Sequence, residues 1–450
     1  MRNDLTARYG DERVPRYTSY PTAPQFSPSI TGETYADWLA EVPQDTTASL
    51  YLHVPFCRAM CWYCGCHTTI TQRDAPIVDY LAVLRREIAL VSGGLGRRQP
   101  VGHVHFGGGT PTIMDPREFI ALSEFLAAQF SLRDGAEIAV EIDPRTLTRA
   151  MMHALREAGV TRASLGIQSF DPIVQQAINR VQSVAQTAEA ADGLRAAGVR
   201  GINFDLIYGL PHQTIRSCID TVRQCLDIRP DRFSVFGYAH VPTFKKHQRK
   251  IDEAALPGGA ARHAQEQAIA ETLLEAGYRR IGLDHFALPE DPMAHAQAEG
   301  VMHRNFQGYT TDPSDILLGF GASAIGRLAQ GYIQNEVVLG RYAELVSRGE
   351  FATMKGYALS PDDRLRADLI ERMMCDFRVD VGQVCRAHGT APGVFLHSFP
   401  RLRELQEDGI IRLDGEVISI ADEARFLVRS VASVFDAYLE GSGRTHSRAV

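Results

Sequence analysis

From Ala48 onward, short apolar runs alternate with helical patterns, and that alternation limits the fold more than any other feature of the chain. The runs are Leu50–Val54, His103–Phe106, Glu137–Ile142, Arg162–Ile167, Ile202–Ile207 and Phe233–Phe236. Between the first two, Ile77, Leu81, Leu84, Ile88 and Val91 recur at helical spacing. Asp115-Pro116-Arg117-Glu118 reads as an N-cap followed by a proline at the first helical position. Glu157-Ala158-Gly159-Val160, Ala196-Ala197-Gly198-Val199 and Glu275-Ala276-Gly277-Tyr278 each put a glycine stop ahead of a strand. Repeated strand–helix units predict an α/β fold with a parallel sheet, a partial (β/α)6 barrel whose function gathers at the C-terminal ends of the strands.

The first run leads into Cys57-Arg58-Ala59-Met60-Cys61-Trp62-Tyr63-Cys64-Gly65-Cys66, which holds four of the chain's eight cysteines. Neighbouring cysteines in so tight a loop are poorly placed for disulfides but can converge on metal. Structural zinc wants two separated C-x2-C pairs, and no second pair exists, because Cys218, Cys225, Cys375 and Cys385 are scattered through helical patterns. Zinc would need Cys66 as a cramped fourth ligand. A [4Fe–4S] cluster on Cys57, Cys61 and Cys64, with one iron left open, is the better reading.

Other strand ends carry polar groups. Gly107-Gly108-Gly109-Thr110-Pro111 would let a ligand approach the backbone, yet it lacks the Lys-Ser/Thr of a phosphate loop. Glu141 ends the third strand, where burial is costly without a partner, whether a ligand or an internal Arg. Gln168, Arg180 and Asp205 fall at or just after later strand ends. Groups of both signs on one barrel face describe a ligand site better than a core.

The chain has 450 residues, too many for one typical domain. Residues 1–47 are expected to form an arm, 48–350 the barrel with its substrate-site loops, and 351–450 a small, mainly helical, winged-helix-like domain. In that last region a helix is expected over Arg364–Phe377, a hairpin turning at Asp414-Gly415, and an amphipathic helix from about Ala424 to Tyr438. A net charge of −7 argues against binding nucleic acid or an anionic membrane. The first residues lack the apolar core of a signal peptide, no run is long enough to span a bilayer, and clustered cysteines suit a reducing compartment. A soluble cytoplasmic protein is expected.

C-x3-C-x-aromatic-C resembles the signature of the radical S-adenosylmethionine (SAM) superfamily. That resemblance implies that SAM chelates the open iron and that one electron cleaves it to methionine and a 5′-deoxyadenosyl radical. The likeness extends over nearly the whole chain to the oxygen-independent coproporphyrinogen III oxidase family. Its carriers are Pro15-Arg16-Tyr17-Thr18-Ser19-Tyr20-Pro21-Thr22, Tyr51 to Cys57, Cys66, Gly107 to Thr112, Asp205 to Thr214, Tyr238 to Thr243 and His303 to Thr311.

The family resemblance implies decarboxylation of two propionates of coproporphyrinogen III to vinyl groups, giving protoporphyrinogen IX. It implies two SAM molecules, a one-electron reductant such as flavodoxin or ferredoxin, an electron acceptor the sequence does not name, and a monomer. Tyr51, Gly108, Glu141 and Ile325 would contact the first SAM. Tyr63, Gly109, Thr110, Gln168, Arg180, Asp205 and Ala239 would contact the second. Tyr51, His53 and Cys66 are expected to serve the reaction, Cys66 without ligating the cluster. Ser19 and Gln307 are expected to meet the substrate, with the N-terminal arm as part of the site. Arg16, Arg304 and the Lys245-Lys246 pair are candidate propionate partners, the lysines alternatively forming a solvated face. The family usually has Phe where Tyr63 stands, so a phenol hydroxyl is added beside the cofactors. A haem-binding chaperone or a haem-modifying radical SAM relative is the second reading; such chaperones generally lack the arm and carry Phe in place of Cys66.

Overall fold

The computed structural model describes residues 8–9, 12–396 and 400–439. The chain divides into two compact units: residues 26–257 with 314–358, and residues 1–25 with 258–313 and 359–450. This grouping differs from a simple arm–barrel–cap order, because residues 258–313 fall with the two ends of the chain.

The first unit is built on six parallel strands, the first five each followed by a helix. Its strands are β1 Ala48–Val54, β2 Pro100–Gly108, β3 Ser131–Ile142, β4 Arg162–Gln168, β5 Gly201–Tyr208 and β6 Arg232–Gly237. They pair in sequence order and all in parallel. β1 is buried along almost its whole length, as a strand covered on both faces must be. The connecting helices include α1 Ala75–Leu95, whose Ile77, Leu81, Leu84, Ile88 and Val91 all face inward, and α2 Pro116–Gln129. Asp115 caps α2 by accepting from Arg117 N at 2.8 Å. Gly159 and Gly198 adopt φ of +72° and +93°, the left-handed turn that stops a helix and returns the chain to the sheet.

The barrel is partial. β1 and β6 are not neighbours; β7 Ile316–Phe320 lies parallel to β1 instead, with Tyr51 opposite Gly319. An antiparallel run continues outward through β8 Ile325–Leu328, β9 Gly331–Asn335 and β10 Thr353–Ala358. Because β1 to β6 run the same way, their C-terminal ends gather on one face.

In the second unit, Pro361–Asp376 is helical, and Ile411–Asp414 pairs with Val417–Ile420 as a hairpin whose Asp414 faces Val417. A third strand, Arg378–Asp380, completes an antiparallel sheet. This is the winged-helix-like region. The same unit carries Ile281, Met293 and Tyr309, which share an apolar cluster with Cys375.

The expected amphipathic helix over 424–438 is not one helix. The chain there forms a 3-10 turn at Asp422–Leu427, one short helix at Val428–Ala432 and a further 3-10 turn at Ser433–Phe435. The short helix is buried on every side, including Arg429 and Ser430. Arg429 explains the break from amphipathicity: its guanidinium donates to Pro15 O at 2.9 Å and also to Val14 O, which ties the N-terminal segment down. Tyr17 and Tyr20 complete the anchorage, the first donating to Asp436 at 3.0 Å and the second accepting from Ala437 N at 2.9 Å. Arg429→Ala would strand these carbonyls, at a cost of about 2–4 kcal/mol. The expected result is a lower Tm, with limited proteolysis beginning within residues 12–22.

Candidate active site

The cysteine loop leaves β1 through Pro55 at the C-terminal face of the barrel. All eight cysteines are free thiols, with Cys61 buried, Cys57 and Cys64 half-buried and Cys66 exposed. Each of the first three sulfurs meets a hydrogen-bond donor. Thr68 donates to Cys57 Sγ at 3.4 Å, and the Thr110 hydroxyl lies 3.4 Å from the same atom. Arg145 and Arg180 donate to Cys61 Sγ at 3.5 and 3.6 Å, and Cys66 N donates to Cys64 Sγ at 3.4 Å. The Cys66 thiol's hydrogen bond, opposed by burial and aided by the Cys66 backbone N–H and by His247 and Lys245, lowers the Cys64 thiol to about 6.

Among the described residues, no three His, Cys, Asp or Glu side chains surround a single ion position. An iron–sulfur cluster needs no such convergence, because each thiolate binds a different iron at a different corner. Three uncrosslinked thiols on one short loop, each served by donors, fit a [4Fe–4S] cluster. Cys66 meets Cys64 Sγ through its backbone N–H and also through its thiol.

Around this loop stand the polar strand ends. Glu141, at the end of β3, pairs with His105 Nε2 at 3.1 Å and accepts from Gly108 N at 3.1 Å. Burial would raise this carboxyl, but the His105 hydrogen bond and charge and the Gly108 N–H outweigh it and hold it below the usual range. The partner is thus a histidine, not an internal arginine. A Cβ on Gly107 would sit 2.7 Å from Glu141 Oε1, and one on Gly109 would sit 2.5 Å from Phe56 O. Glycine there is what lets the strand edge, the carboxylate and the cysteine loop close up.

Tyr51 hydrogen-bonds His53 Nδ1 at 2.9 Å, while His53 Nε2 meets His67 O at 3.0 Å. Burial lowers the His53 pKa, so its ring stays neutral. Gln168 holds φ at +67°, and its buried Oε1 lacks a partner. Asp205 accepts from Ser164 and Asn203, both at 2.8 Å. Ala239 O accepts from Gln248 at 3.2 Å. Tyr63 packs against the cluster of Val174, Ile178 and Leu210, and burial raises its hydroxyl well above the usual range. Ile325 opens β8, opposite Gln334.

Several residues the sequence reading passed over also build this site. Gln248 donates to Tyr63 O at 2.9 Å, His247 Nε2 meets Cys64 O at 2.7 Å, and Asn179 donates to Met60 O at 2.8 Å. Lys245 donates to Cys66 O at 3.0 Å, so this lysine braces the loop. His105 and Arg145 were missed as well; alternation along His103-Val104-His105 was the single local signal for the former.

The four expected substrate contacts lie in the other unit. Arg16 is exposed, and its carbonyl accepts from Arg304 Nη2 at 3.3 Å. Arg304 stacks over the Tyr309 ring at 4.4 Å and keeps Nε and Nη1 buried without a partner. Ser19 donates to Pro21 O at 3.1 Å, and Gln307 N donates to Asn305 Oδ1 at 2.9 Å.

The comparisons agree with this architecture. The family model described as the radical SAM superfamily matches residues 51–225. The chain is 62% identical over 450 residues to the oxygen-independent coproporphyrinogen III oxidase of Bradyrhizobium diazoefficiens, covering 100% of both. It is 42% identical over 436 residues to the Cereibacter sphaeroides protein of the same name, covering 96% of each. The solved structure of coproporphyrinogen III oxidase (HemN) from Escherichia coli, a radical SAM enzyme, superposes with a TM-score of 0.90 at 37% identity, covering 94% of this chain and 98% of that one. Barrel, cysteine loop and full-length likeness lead to one assignment: the chain belongs to the oxygen-independent coproporphyrinogen III oxidase family of radical SAM enzymes.

Proposed function

We propose that the protein oxidatively decarboxylates two propionate side chains of coproporphyrinogen III to vinyl groups, giving protoporphyrinogen IX without molecular oxygen. The observation that most supports this reading is the trio Cys57, Cys61 and Cys64, each sulfur facing a hydrogen-bond donor beside an acidic and glycine-rich strand edge. When bound, the [4Fe–4S] cluster and SAM supply the one-electron chemistry that removes a hydrogen atom from the propionate β-carbon.

The chain's own groups would bind, orient and exclude. Cys57, Cys61 and Cys64 would hold the cluster. Tyr51, Gly108, Glu141 and Ile325 would take the first SAM. Glu141 stays ionised beside His105, so it can pair with a cationic or hydroxyl-bearing ligand. Tyr63, Gly109, Thr110, Gln168, Arg180, Asp205 and Ala239 would take the second, and the orphan Gln168 Oε1 is a waiting acceptor. His53, kept neutral, would hold Tyr51 in place through their hydrogen bond.

Substrate recognition would fall to Arg16, Arg304, Ser19 and Gln307. The exposed Arg16 guanidinium suits a propionate, and a charge-assisted contact of about 1.5–3 kcal/mol corresponds to roughly a ten- to hundredfold effect. Arg16→Ala is expected to raise KM for coproporphyrinogen III within that range and to change kcat little. A one-electron donor of the flavodoxin or ferredoxin type would reduce the cluster. Among the described residues, no helix is long and apolar enough to cross a membrane.

The deciding experiment is anaerobic incubation of reconstituted protein with SAM, dithionite, coproporphyrinogen III and a cell extract supplying an electron acceptor. Vinyl product rising together with 5′-deoxyadenosine is the expected result. Deoxyadenosine without vinyl product would redirect the reading to another substrate. Tight haem binding with neither product, on an intact cluster, would replace it with the chaperone reading.

A further inference from the structure

Arg145 follows β3 in the turn Asp143-Pro144-Arg145-Thr146, where Asp143 O accepts from Thr146 N at 3.1 Å. Its guanidinium lies along the Asp143 carboxylate, with Nε 2.9 Å from Oδ1 and Nη2 2.7 Å from Oδ2. The same Nη2 reaches Cys61 Sγ at 3.5 Å. Arg180 approaches both groups too, 3.4 Å from Asp143 Oδ1 and 3.6 Å from Cys61 Sγ. The side chains of Arg145, Asp143 and Arg180 are 17%, 13% and 6% exposed. Two cations thus share one carboxylate, and the uncompensated positive charge faces Cys61. The donors on Cys57 are neutral hydroxyls, and those on Cys64 are the Cys66 backbone N–H and thiol, with Lys245 and His247 bonded to loop carbonyls; guanidinium N–H groups reach sulfur at Cys61.

We propose that Arg145 tunes reduction of the [4Fe–4S] cluster, its N–H and charge at Cys61 Sγ favouring the reduced state. The inference rests on the cluster reading above. One electron enters from an external one-electron donor; no bond forms or breaks, and the cluster becomes one unit more negative. A buried guanidinium against a ligand sulfur stabilises that added charge more than it stabilises the oxidised state. Arg145 is therefore a positioning residue that acts through Cys61.

The test is a dye-mediated potentiometric titration of the reconstituted holoenzyme, read by electron paramagnetic resonance without SAM, with iron and sulfide counted in every sample. Arg145→Gln is expected to hold a full cluster whose reduction is about tenfold less favourable, a midpoint near 59 mV lower for one electron. Arg145→Lys keeps a charge beside Asp143 but gives up the N–H to sulfur, and should shift in the same direction by less. A purely structural role would lower Tm and leave the midpoint alone. Wild-type midpoints in both fully loaded variants would overturn the proposal. If Arg145→Gln loses its cluster, the lysine variant decides: a wild-type midpoint there overturns it equally. A wild-type chain that takes up no four-iron centre would overturn the cluster reading itself, a separate and distinguishable result.

Discussion

Cys61→Ser is expected to lose both the four-iron centre and product formation, by at least ~10³-fold, which is about 4 kcal/mol of barrier at 1.36 kcal/mol per tenfold. A serine hydroxyl does not ionise in this range and cannot replace a thiolate ligand. Cys57→Ser and Cys64→Ser should behave alike. Cys66→Ser should keep the four-iron centre even where product formation falls, because the Cys66 backbone N–H on Cys64 Sγ stays in place and a serine hydroxyl can still donate there. Iron and sulfide content measured beside deoxyadenosine yield separates the two classes. A Cys66→Ser protein depleted of iron would make Cys66 a ligand, and a Cys61→Ser protein with four irons would remove Cys61 from the set.

The largest stability effect is expected at Glu87, a carboxyl on α1 that is 3% exposed. It accepts from Gly321 N at 2.6 Å, from the Tyr342 hydroxyl at 2.7 Å and from Asn335 Nδ2. The nearby Tyr80 donates to His53 O at 2.6 Å and accepts from Ala322 N at 3.1 Å. Together these groups fasten the turn after β7 to the end of β1. Glu87→Ala would take the acceptor from three buried donors, of which Asn335 Nδ2 keeps Gly321 O at 3.0 Å, at roughly 3–5 kcal/mol.

Glu87 also sets a pH dependence. Burial pushes its carboxyl up to about 7, against the lowering effect of its three donors. A raised acid is bound more tightly by a proton in the folded state. Its contribution is therefore fully present below about 4.5 and is lost as pH rises towards 7, on the order of 3 kcal/mol in total. Glu87→Gln cannot ionise, so its Tm should fall less than that of the wild type between pH 5 and 8. Parallel Tm–pH curves for the two proteins would show that Glu87 titrates as an ordinary carboxyl.

What the sequence carried was mostly local. Period-two and period-3.6 patterns, the Asp115 cap and the glycine stops at 159 and 198 act over a few residues, so the strands and helices of the barrel could be read directly. The cysteine spacing was equally plain, since residues within one loop need no tertiary information to meet. The winged hairpin turned where Asp414-Gly415 placed it.

The misread C-terminal helix shows the opposite case. Its residues are apolar enough to suggest one face, but Arg429 is drawn inward by carbonyls at Val14 and Pro15, more than four hundred residues away. His105 and Arg145 escaped for the same reason: their partners Glu141 and Cys61 stand 36 and 84 positions distant, and neither residue type is unusual where it occurs. By itself, the sequence determined the repeated βα architecture and the presence of a loop with three closely spaced cysteines, because both follow from contacts between near neighbours. Only the tertiary structure decided which buried charges face which sulfur, which histidine keeps Glu141 ionised, and that residues 258–313 group with the chain ends, because those pairings depend on distant segments that strand order brings together.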